Sequence, residues 1–453
     1  MSTEFIGCDR ETPYLLPPSV LEWLPENHLA RFVVEIVEQL NLQSLKDSYA
    51  GRGSQPYNPE MLVALLFYGY ATGVFSSREL ERSTYDSVAF RYIAANTHPD
   101  HDTIAVFRKR FLPHLRALFI EILGIGHQLG LLKLGTVSLD GSKVKANASK
   151  HKALSYGHAS KLEVQIEAEV AELLRKAEAA DTSDKPDGMD IPEELSRRTE
   201  RLKAIREAKA EIERRAAERH AAEHKEYEQK CAARAQKEQE TGKKPRGKEP
   251  KPPQQTGPSD KDQVNLTDGE SRIMPVAGGG FEQAYNAQAG VDTKSLLVVA
   301  AHVSQCSNDK QELKPALDAL GALPEELGTV SALIADHGYC SEANVARCEE
   351  EQIVPYIAMG RQPHHPPLAE RFQEPPPVPE GADAMQRMAY RLKTNEGRAI
   401  YARRKSTSEP VFGIIKAVMG FRRFMLRSKA LVSGEWNLVC IAWNLKRLHV
   451  LAS

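Results

Sequence analysis

Two short apolar segments that each end on an aspartate constrain the fold of this chain more than any other feature. The segment "TVSLDG" reaches Asp140, and the segment "ALIADHG" reaches Asp336. Their continuous apolar residues indicate strands that are buried on both faces of a parallel or mixed sheet. An aspartate that ends such a strand lies at the rim of the sheet, where α/β proteins bind ligands. One Asp-Gly pair is also typical of a simple turn, but two matching strand ends predict a shared site.

Helical patterns occupy the chain before the first of these strands. From about residue 18 to 130, apolar residues recur at helical spacing, as in "ENHLARFVVEIVEQL". Asn58 and Pro59 mark the start of one helix, and Pro113 predicts a kink or a break in another. We therefore expect an all-α N-terminal domain over residues 1–130. Stacked short helices are typical both of a helix-turn-helix DNA-binding domain and of a plain helical bundle.

A long insertion rich in Ala, Glu, Lys and Arg interrupts the α/β region, which we place at residues 131–453. Two apolar stripes separated by the turn-forming segment 181–190 predict an antiparallel helical hairpin. The stripes are Leu162, Ile166, Val170, Leu173 and Ala177, and Leu195, Leu202, Ile205 and Ile212. The insertion spans residues 158–260, and its last part is expected to be disordered. After it, the pattern predicts a strand hairpin around "DTK", then a helix, the "ALIAD" strand, a helix and a short strand, "VPYIAM".

Composition excludes several classes of protein. The chain has 453 residues, and no apolar run is long enough to cross a bilayer. Its six cysteines include no C-x-x-C pair, which argues against a zinc ribbon and against a disulfide framework. We expect a cytoplasmic protein with no membrane partner. The net charge of −1 conceals a basic segment between Arg387 and Lys429, which holds twelve Lys and Arg residues against two acidic ones and predicts nucleic-acid binding.

The basic segment carries a third carboxylate of interest, Glu409. Tyr401, Lys405, Glu409 and Lys416 fall near one side of a helix that we expect to be interrupted around Pro410. A tyrosine and cations beside the acid would keep it ionised and hold a phosphate nearby. An ordinary surface pair between Lys405 and Glu409 is the alternative interpretation.

Taken together, Asp140, Asp336 and Glu409 form a set of oxygen ligands suited to hard divalent cations at the rim of a sheet. Two such ions, about 3.5–4 Å apart, can activate a nucleophile and stabilise the leaving oxygen of a phosphodiester. That chemistry requires carboxylates and no covalent nucleophile.

These segments resemble the bacterial insertion-sequence DDE transposases, whose catalytic core is a ribonuclease-H-like mixed α/β sheet. The resemblance covers most of the chain: the N-terminal helices, "VSLDGSKVKANASKH", "AYNAQAGVDTKSLLVVAAHVSQCSNDKQELKP", "ALIADHGY" and "SEPVFGIIKAVMGFRRF". It implies that Asp140, Asp336 and Glu409 are the catalytic residues, and that they bind two Mg²⁺ or Mn²⁺ ions.

One spacing departs from the family pattern. In relatives the glutamate helix carries a tyrosine, an arginine three residues on, the glutamate four after that, and a lysine seven beyond. Tyr401, Arg404, Glu409 and Lys416 match it except that the gap from arginine to glutamate is one residue too long. Lys405 stands at the fitting distance, so either Arg404 or Lys405 takes the role of the arginine.

The resemblance implies an enzyme that binds the ends of a mobile element, cleaves them and transfers the strands to target DNA. Its partners would be double-stranded DNA, as terminal inverted repeats and target, and further copies of itself in a homodimer or larger synaptic assembly at the nucleoid. The residues expected to bind DNA are Tyr401, Arg403, Arg404, Lys405, Lys416, Arg422 and Arg423. The alternatives are a domesticated ribonuclease-H-like nuclease and a non-catalytic DNA-binding regulator, and the intact carboxylates argue against the second.

Four further residues near these motifs have simpler expected roles. His337 is expected to make an orienting hydrogen bond rather than to bind metal. Asn286 and Gln288 in "YNAQA" either approach the site or hold the strand hairpin. Asp292 is expected to form the turn in "GVDTKS".

Overall fold

The computed structural model describes residues 19, 22, 24–47, 49, 56–180, 191–242, 248–253, 257–276, 278–360, 375–378 and 380–453. The strands are β1 (Thr136–Lys145), β2 (Ala153–Ser155), β3 (Gln263–Asn265), β4 (Arg272–Pro275), β5 (Phe281–Asp292), β6 (Val298–Ser304), β7 (Ala332–Ala335) and β8 (Val354–Ile357).

The helices are α1 (Leu29–Gln39), α2 (Gln43–Asp47), α3 (Pro59–Thr72), α4 (Ser77–Asp86), α5 (Val88–Ile93), α6 (His101–Phe111), α7 (Leu115–Gln128), α8 (Tyr156–Ala180), α9 (Ile191–Thr241), α10 (Leu313–Gly321), α11 (Glu342–Glu350), α12 (Ala384–Lys393), α13 (Asn395–Ala402), α14 (Ser408–Ala417) and α15 (Lys429–Ala452). Contacts divide the chain into two compact units. The first comprises Met1–Val144 and Asn286–Ser453, and the second comprises Lys145–Tyr285.

The first unit contains a mixed sheet with the strand order β5-β1-β7-β8, and β6 also pairs with β5. β1, β7 and β8 are parallel to one another, whereas β6 is antiparallel to β5 and forms the hairpin predicted around "DTK". All four residues of β7 are buried, which explains why its sequence, "ALIA", is continuously apolar. The helix α11 connects β7 to the parallel strand β8, as a crossover between parallel strands requires.

The helices before β1 belong to this same unit. Asn58 caps α3 by accepting a hydrogen bond from the Glu60 backbone N–H, with Pro59 at the first helical position. Pro113 lies in the short 3₁₀ turn Leu112–His114 between α6 and α7, which confirms the predicted break. α15, much of which is buried, packs against α3, α7 and β6, so it ties the helices to the sheet.

The second unit is built on the long helices α8 and α9. Ile166 of α8 and Leu202, Ile205 and Ile212 of α9 are buried in one apolar cluster, as the two stripes predict. Glu163 pairs with Lys209 at 3.0 Å, whereas Glu169, later in α8, pairs with the earlier Arg198 of α9 at 2.9 Å, so the two helices are antiparallel. β2 and β3 form a two-stranded antiparallel sheet, and β4 pairs with the start of β5. The predicted turn at 181–190 lies outside the described residues, as do residues 243–247 and 254–256 of the segment expected to be disordered.

In the described part of the chain, no single helix is long and apolar enough to cross a membrane. The pair Pro59–Thr72 and Ser77–Asp86, bent by 96° at the break between them, meets the length and composition criteria together.

Candidate active site

The pairing of β1 with β7 brings the two aspartates to the same level of the sheet. The strands are parallel and adjacent, with Leu139 opposite Ala335. Asp140 and Asp336 are the next residue on each strand, so neighbouring strands present the two carboxylates side by side. Asp336 follows the last residue of β7, and its Oδ1 accepts a hydrogen bond of 2.8 Å from the Gly338 backbone N–H. This cap begins the 3₁₀ turn His337–Tyr339.

Asp140 does not end its strand, and this part of the sequence interpretation is wrong. β1 continues through Gly141 to Lys145. The glycine is required by packing rather than by a turn, because a Cβ atom at residue 141 would overlap the Nε2 atom of Gln288 on β5. The rim at this point is therefore formed by the end of β7, while β1 runs on past it.

Arg404 connects Asp140 to Glu409. Its guanidinium lies 3.4 Å from Asp140 Oδ2 and 2.7 Å from Glu409 Oε1. Glu409 is in the first turn of α14, and Arg404 is in the 3₁₀ turn Arg403–Ser406 that precedes this helix. Lys405, the alternative cation, is exposed, and the side chain that the structure brings to both carboxylates is Arg404.

The expected interruption of this helix around Pro410 is misplaced. The break lies between α13 and α14, at the 3₁₀ turn and Thr407. Pro410 occupies the first turn of α14, where the backbone N–H that proline lacks has no helical partner to lose.

Two side chains of α14, Ser408 and Lys416, lie near Asp140. The buried Ser408 hydroxyl lies 3.4 Å from Asp140 Oδ2 and 3.1 Å from Ser138 Oγ. Lys416 Nζ donates to Ser142 Oγ and lies 3.4 Å from the Lys143 carbonyl oxygen. Burial lowers the pKa of Lys416, and the nearby Asp140 carboxylate opposes this shift.

Tyr401 on α13 lies close enough to Arg404, Asp336 and Asp140 for their charges to affect the pKa of its hydroxyl. Burial raises the pKa of its hydroxyl, the Arg404 guanidinium opposes the shift, and the Asp336 carboxylate adds to it. All four residues of the family spacing therefore lie close to the aspartates. They do not share one helix: Tyr401 is on α13, Arg404 is in the 3₁₀ turn, and Glu409 and Lys416 are on α14.

The environment of Asp140 disfavours the ionised form of its carboxyl group. Its pKa is raised to about 6, chiefly because it is buried. The Gly141 N–H and the Arg404 guanidinium oppose the shift, whereas the Asp336 and Glu409 carboxylates add to it. Carboxylates that repel one another in a buried position are stabilised by an added cation, and carboxylate oxygens are the ligands that Mg²⁺ and Mn²⁺ prefer.

The donor set therefore fits a divalent cation in its chemistry. Among the described residues there is no group of three or more His, Cys, Asp or Glu side chains already arranged to hold a metal ion. Arg404, which bonds both Asp140 and Glu409, holds the positive charge between these carboxylates in this structure.

A second polar layer, largely missed by sequence reasoning, lies around Asp309. Asp309 Oδ1 accepts hydrogen bonds from Asn286 Nδ2 at 2.7 Å and Gln288 Nε2 at 2.9 Å, and Lys143 Nζ lies 3.1 Å away. Asn286 and Gln288 thus support the region next to the aspartates. The available signal was the pair Asn286 and Gln288 on one face of β5, but nothing in the sequence points to Asp309 as their partner.

The cations of the basic segment fall into two groups: some are exposed, and others pair with a carboxylate of another helix. Arg403, Lys405, Arg422 and Arg423 are exposed, and Arg422 donates to the Lys416 carbonyl oxygen at 3.1 Å. By contrast, two other arginines of the segment, Arg387 and Arg391, both bond to Glu349 of α11. Local charge density alone does not distinguish these two groups.

Two residues with simpler expected roles make contacts of the expected kind. His337 Nδ1 lies 3.3 Å from the Ala358 carbonyl oxygen, an orienting contact. Asp292 Oδ2 accepts from the Lys294 and Ser295 backbone N–H groups, which closes the turn after β5.

Two family models match the chain. Residues 18–110 match a transposase domain (DUF772), and residues 255–445 match a transposase DDE domain. Together the matches cover more than half of the chain, and the second includes Asp336 and Glu409. No curated protein matches the chain, and no solved structure matches it.

Proposed function

The chain belongs to the insertion-sequence DDE transposases, and from that premise we propose that Asp140, Asp336 and Glu409 are its catalytic triad. Enzymes of this family cleave and join DNA with divalent metal ions. The observation that carries the assignment is the register of β1 and β7, because it puts Asp140 beside Asp336 on adjacent parallel strands. The Arg404 bridge between Asp140 and Glu409 supports the choice of the third member.

We propose that the triad carboxylates hold two Mg²⁺ or Mn²⁺ ions. When bound, such ions supply an activated water and stabilise the leaving 3′ oxygen of a scissile phosphodiester. The protein contributes the anionic oxygens, of which those of Asp140 are largely shielded from solvent, whereas the Glu409 side chain is 45% exposed. The Ser408 hydroxyl, 3.4 Å from Asp140 Oδ2, restricts the orientation of that carboxylate.

Arg404, rather than Lys405, is the proposed functional cation. A guanidinium that bonds two carboxylates in the absence of DNA can turn toward a phosphate when DNA arrives, because it binds both anions with the same planar donors. Lys416, beside Ser142, is the second proposed phosphate ligand at the site. Tyr401 is proposed to contact DNA at the site itself, beside Arg404. The exposed Arg403, Lys405, Arg422 and Arg423 are proposed to contact the backbone farther along the DNA.

We propose the same division into domains that the sequence predicts. Residues 1–130 bind the element ends, residues 131–453 form a ribonuclease-H-like catalytic domain, and residues 158–260 are an insertion within it. Because two ends must be cut and joined together, the working form is proposed to be a homodimer or a larger assembly on the DNA of the nucleoid. The substrates are the terminal inverted repeats and the target duplex.

The test uses the full chain and a plasmid that carries the DNA flanking its gene. The proposal predicts cleavage at the element ends with Mg²⁺ or Mn²⁺, its loss with EDTA, and joined products when target DNA is added. Cleavage without joined products would favour a nuclease. DNA binding without any metal-dependent cleavage would favour a regulator.

A further inference from the structure

β1 presents different residues to the two faces of the sheet near the triad. Asp140 and Ser142 lie on one face, where Ser142 contacts Lys416 of α14. Gly141 and Lys143 therefore point to the opposite face. There Lys143 Nζ lies 3.1 Å from Asp309 Oδ1 and 3.4 Å from Asp309 Oδ2. The pair is well shielded, since the side chains of Lys143 and Asp309 are 15% and 21% exposed.

Hydrogen bonds continue from this pair to the turn that carries Asp336. Gln288 Nε2 donates to Asp309 Oδ1 at 2.9 Å, and Gln288 Oε1 accepts from the Tyr339 hydroxyl. Tyr339 is fully buried and is the last residue of the 3₁₀ turn that Asp336 caps. A continuous set of polar contacts thus runs from β1, through Asp309 and β5, to the Asp336 turn.

Asp309 also lies directly beside this turn. A Cβ atom added to Gly338 would be 2.9 Å from Asp336 Oδ1 and 3.4 Å from Asp309 Oδ2. One oxygen of each carboxylate therefore lies close to Gly338. Asn344 reinforces the arrangement, because its Nδ2 donates to the Lys310 carbonyl oxygen at 2.8 Å and to the Tyr339 carbonyl oxygen at 2.7 Å.

We propose that Asp309 is a positioning residue for the reaction, acting through Lys143, Gln288 and Tyr339 to fix the spacing of Asp140 and Asp336. This inference rests on the proposed function, since it takes these two aspartates to be metal ligands. Asp309 neutralises Lys143, which keeps that cation on the far face of the sheet, and it orients the Gln288 amide so that its oxygen receives the Tyr339 hydroxyl. Loss of a group that orients metal ligands typically lowers metal affinity or activity by about 10–100-fold.

The decisive variant is Asp309→Asn, which keeps the shape of the side chain but removes its charge. Mn²⁺ binding to the full chain without DNA is measured from the EPR signal of the free ion. We expect the Kd for Mn²⁺ to rise by about 10–100-fold. With the flanking-DNA plasmid, the Mn²⁺ concentration for half-maximal cleavage should rise in parallel, while the KM for DNA changes little.

Glu312→Gln is the matched control. Glu312 lies close to Asp309 in the chain, and its side chain, which bonds His302 Nε2 at 3.0 Å and Ser304 Oγ at 2.5 Å, is 4% exposed against 21% for Asp309. The variant therefore removes a charge that is at least as well shielded as that of Asp309. The partners of Glu312 lie on β6 rather than on the Asp336 turn. This variant should lower thermal stability without changing the Kd for Mn²⁺. A purely structural role for Asp309 would give the same pattern in Asp309→Asn.

Lys143→Gln removes the other charge of the pair, and it tests the same inference if Asp309→Asn does not fold. It should also raise the Kd for Mn²⁺, and the double variant should raise it by less than the product of the two single effects, because the residues act through one contact. An unchanged Kd and unchanged cleavage in a folded Asp309→Asn or Lys143→Gln variant would overturn the inference while leaving the proposed function intact. If the unmodified chain itself neither binds Mn²⁺ nor cleaves, the proposed function fails instead.

Discussion

At the scale of single residues, the account depends on which groups touch the Asp140 carboxylate. Arg404, Ser408 and the Gly141 N–H all approach its oxygens, and Asp336 lies beside it on the next strand. Of these, Arg404 is the only one that carries a positive charge. Its contacts with Asp140 and Glu409 lead to a prediction that separates metal binding from catalysis.

Arg404→Gln should reduce metal-dependent DNA cleavage by about tenfold or more, because a charged ligand for the scissile phosphate is lost. Mn²⁺ binding in the absence of DNA should be unchanged or tighter, since a cation that competes for the same carboxylates has been removed. Lys405→Gln is the matched control and should change neither quantity. Full cleavage by Arg404→Gln together with loss of cleavage by Lys405→Gln would transfer the role to Lys405.

The choice between Arg404 and Lys405 could not be made from the sequence, for a geometric reason. The family spacing assumes a continuous α-helix, in which residues four apart share a face. Here the helix is interrupted by the 3₁₀ turn Arg403–Ser406 and by Thr407, whose φ of −116° and ψ of −86° are not helical. Helical spacing therefore does not apply across the break, and Arg404 reaches Glu409 five residues later. Asp140 shows a similar limit. Its apolar strand could be predicted from the sequence, but Gly141, which looks like a turn residue, is instead a strand residue whose lack of a side chain makes room for Gln288, far along the chain.

At the scale of elements, α15 is joined to the preceding segment by a buried carboxylate. Glu435 accepts hydrogen bonds from the Met425 and Leu426 backbone N–H groups, and from the Tyr70 hydroxyl at 2.9 Å. Arg108 lies close enough to stabilise its charge. Glu435 thus links α15, the chain after α14, and α3, in a part of the first unit that the sequence motifs did not indicate.

Burial raises the pKa of Glu435 above its ordinary value, although the Leu426 N–H, Tyr70 and Arg108 oppose the shift. A carboxyl whose pKa is higher in the folded than in the unfolded chain stabilises the fold fully below the unfolded pKa, about 4.3. That stability is lost as the pH rises through the folded pKa. The free energy of unfolding of the unmodified chain, minus that of Glu435→Gln, should therefore fall as the pH rises above about 4 and then level off. Denaturant unfolding at a series of pH values measures this difference, and a difference that does not change with pH would contradict the assignment.

Deletion of the hairpin of α8 and α9 tests whether the catalytic site functions without it. In the β2–β3 pair, Ser155 lies opposite Gln263, so Asn-Gly can replace residues 156–262 as a two-residue turn. Leu154 and Val264 pack against the hairpin and would be exposed by the deletion, so the variant also carries Leu154→Thr and Val264→Thr. This variant should retain metal-dependent nicking, because the hairpin supplies none of the proposed ligands, while the joining of paired ends is impaired. Loss of nicking in a folded variant would show that the hairpin contributes to the catalytic site.

At the scale of the whole molecule, a net charge of −1 conceals a strongly uneven distribution. Exposed cations lie between Arg403 and Arg423, while Arg387 and Arg391 both pair with the single carboxylate of Glu349. The composition alone indicates neither the exposed cations nor the arginines that pair with Glu349. The sequence was sufficient to predict the basic segment but not to show which of its residues are available to DNA, because the ion pairs join elements that are distant in the chain.

DNA affinity should fall steeply with salt if these exposed cations bind phosphates. With about six contacts, the loss between 50 and 200 mM salt is roughly 10³-fold. Arg422→Ala combined with Arg423→Ala should flatten the dependence of log Kd on log salt. Arg387→Ala combined with Arg391→Ala is the control and should leave the slope nearly unchanged. Equal slopes for the Arg422 and Arg423 variant and the unmodified chain would place the interface elsewhere.

The triad assignment is tested most directly by metal-dependent cleavage in three charge-removing variants: Asp140→Asn, Asp336→Asn and Glu409→Gln. End cleavage with Mg²⁺ or Mn²⁺ is measured beside DNA affinity by gel shift, with Asp292→Asn as a control carboxylate that only forms a turn. The account predicts that each triad variant loses cleavage by orders of magnitude, that its DNA binding survives or tightens because a negative charge facing the phosphates is gone, and that Asp292→Asn cleaves normally. Near-normal cleavage by a folded Asp140→Asn or Asp336→Asn variant would contradict the central claim, and normal cleavage by Glu409→Gln alone would assign the third ligand to another residue.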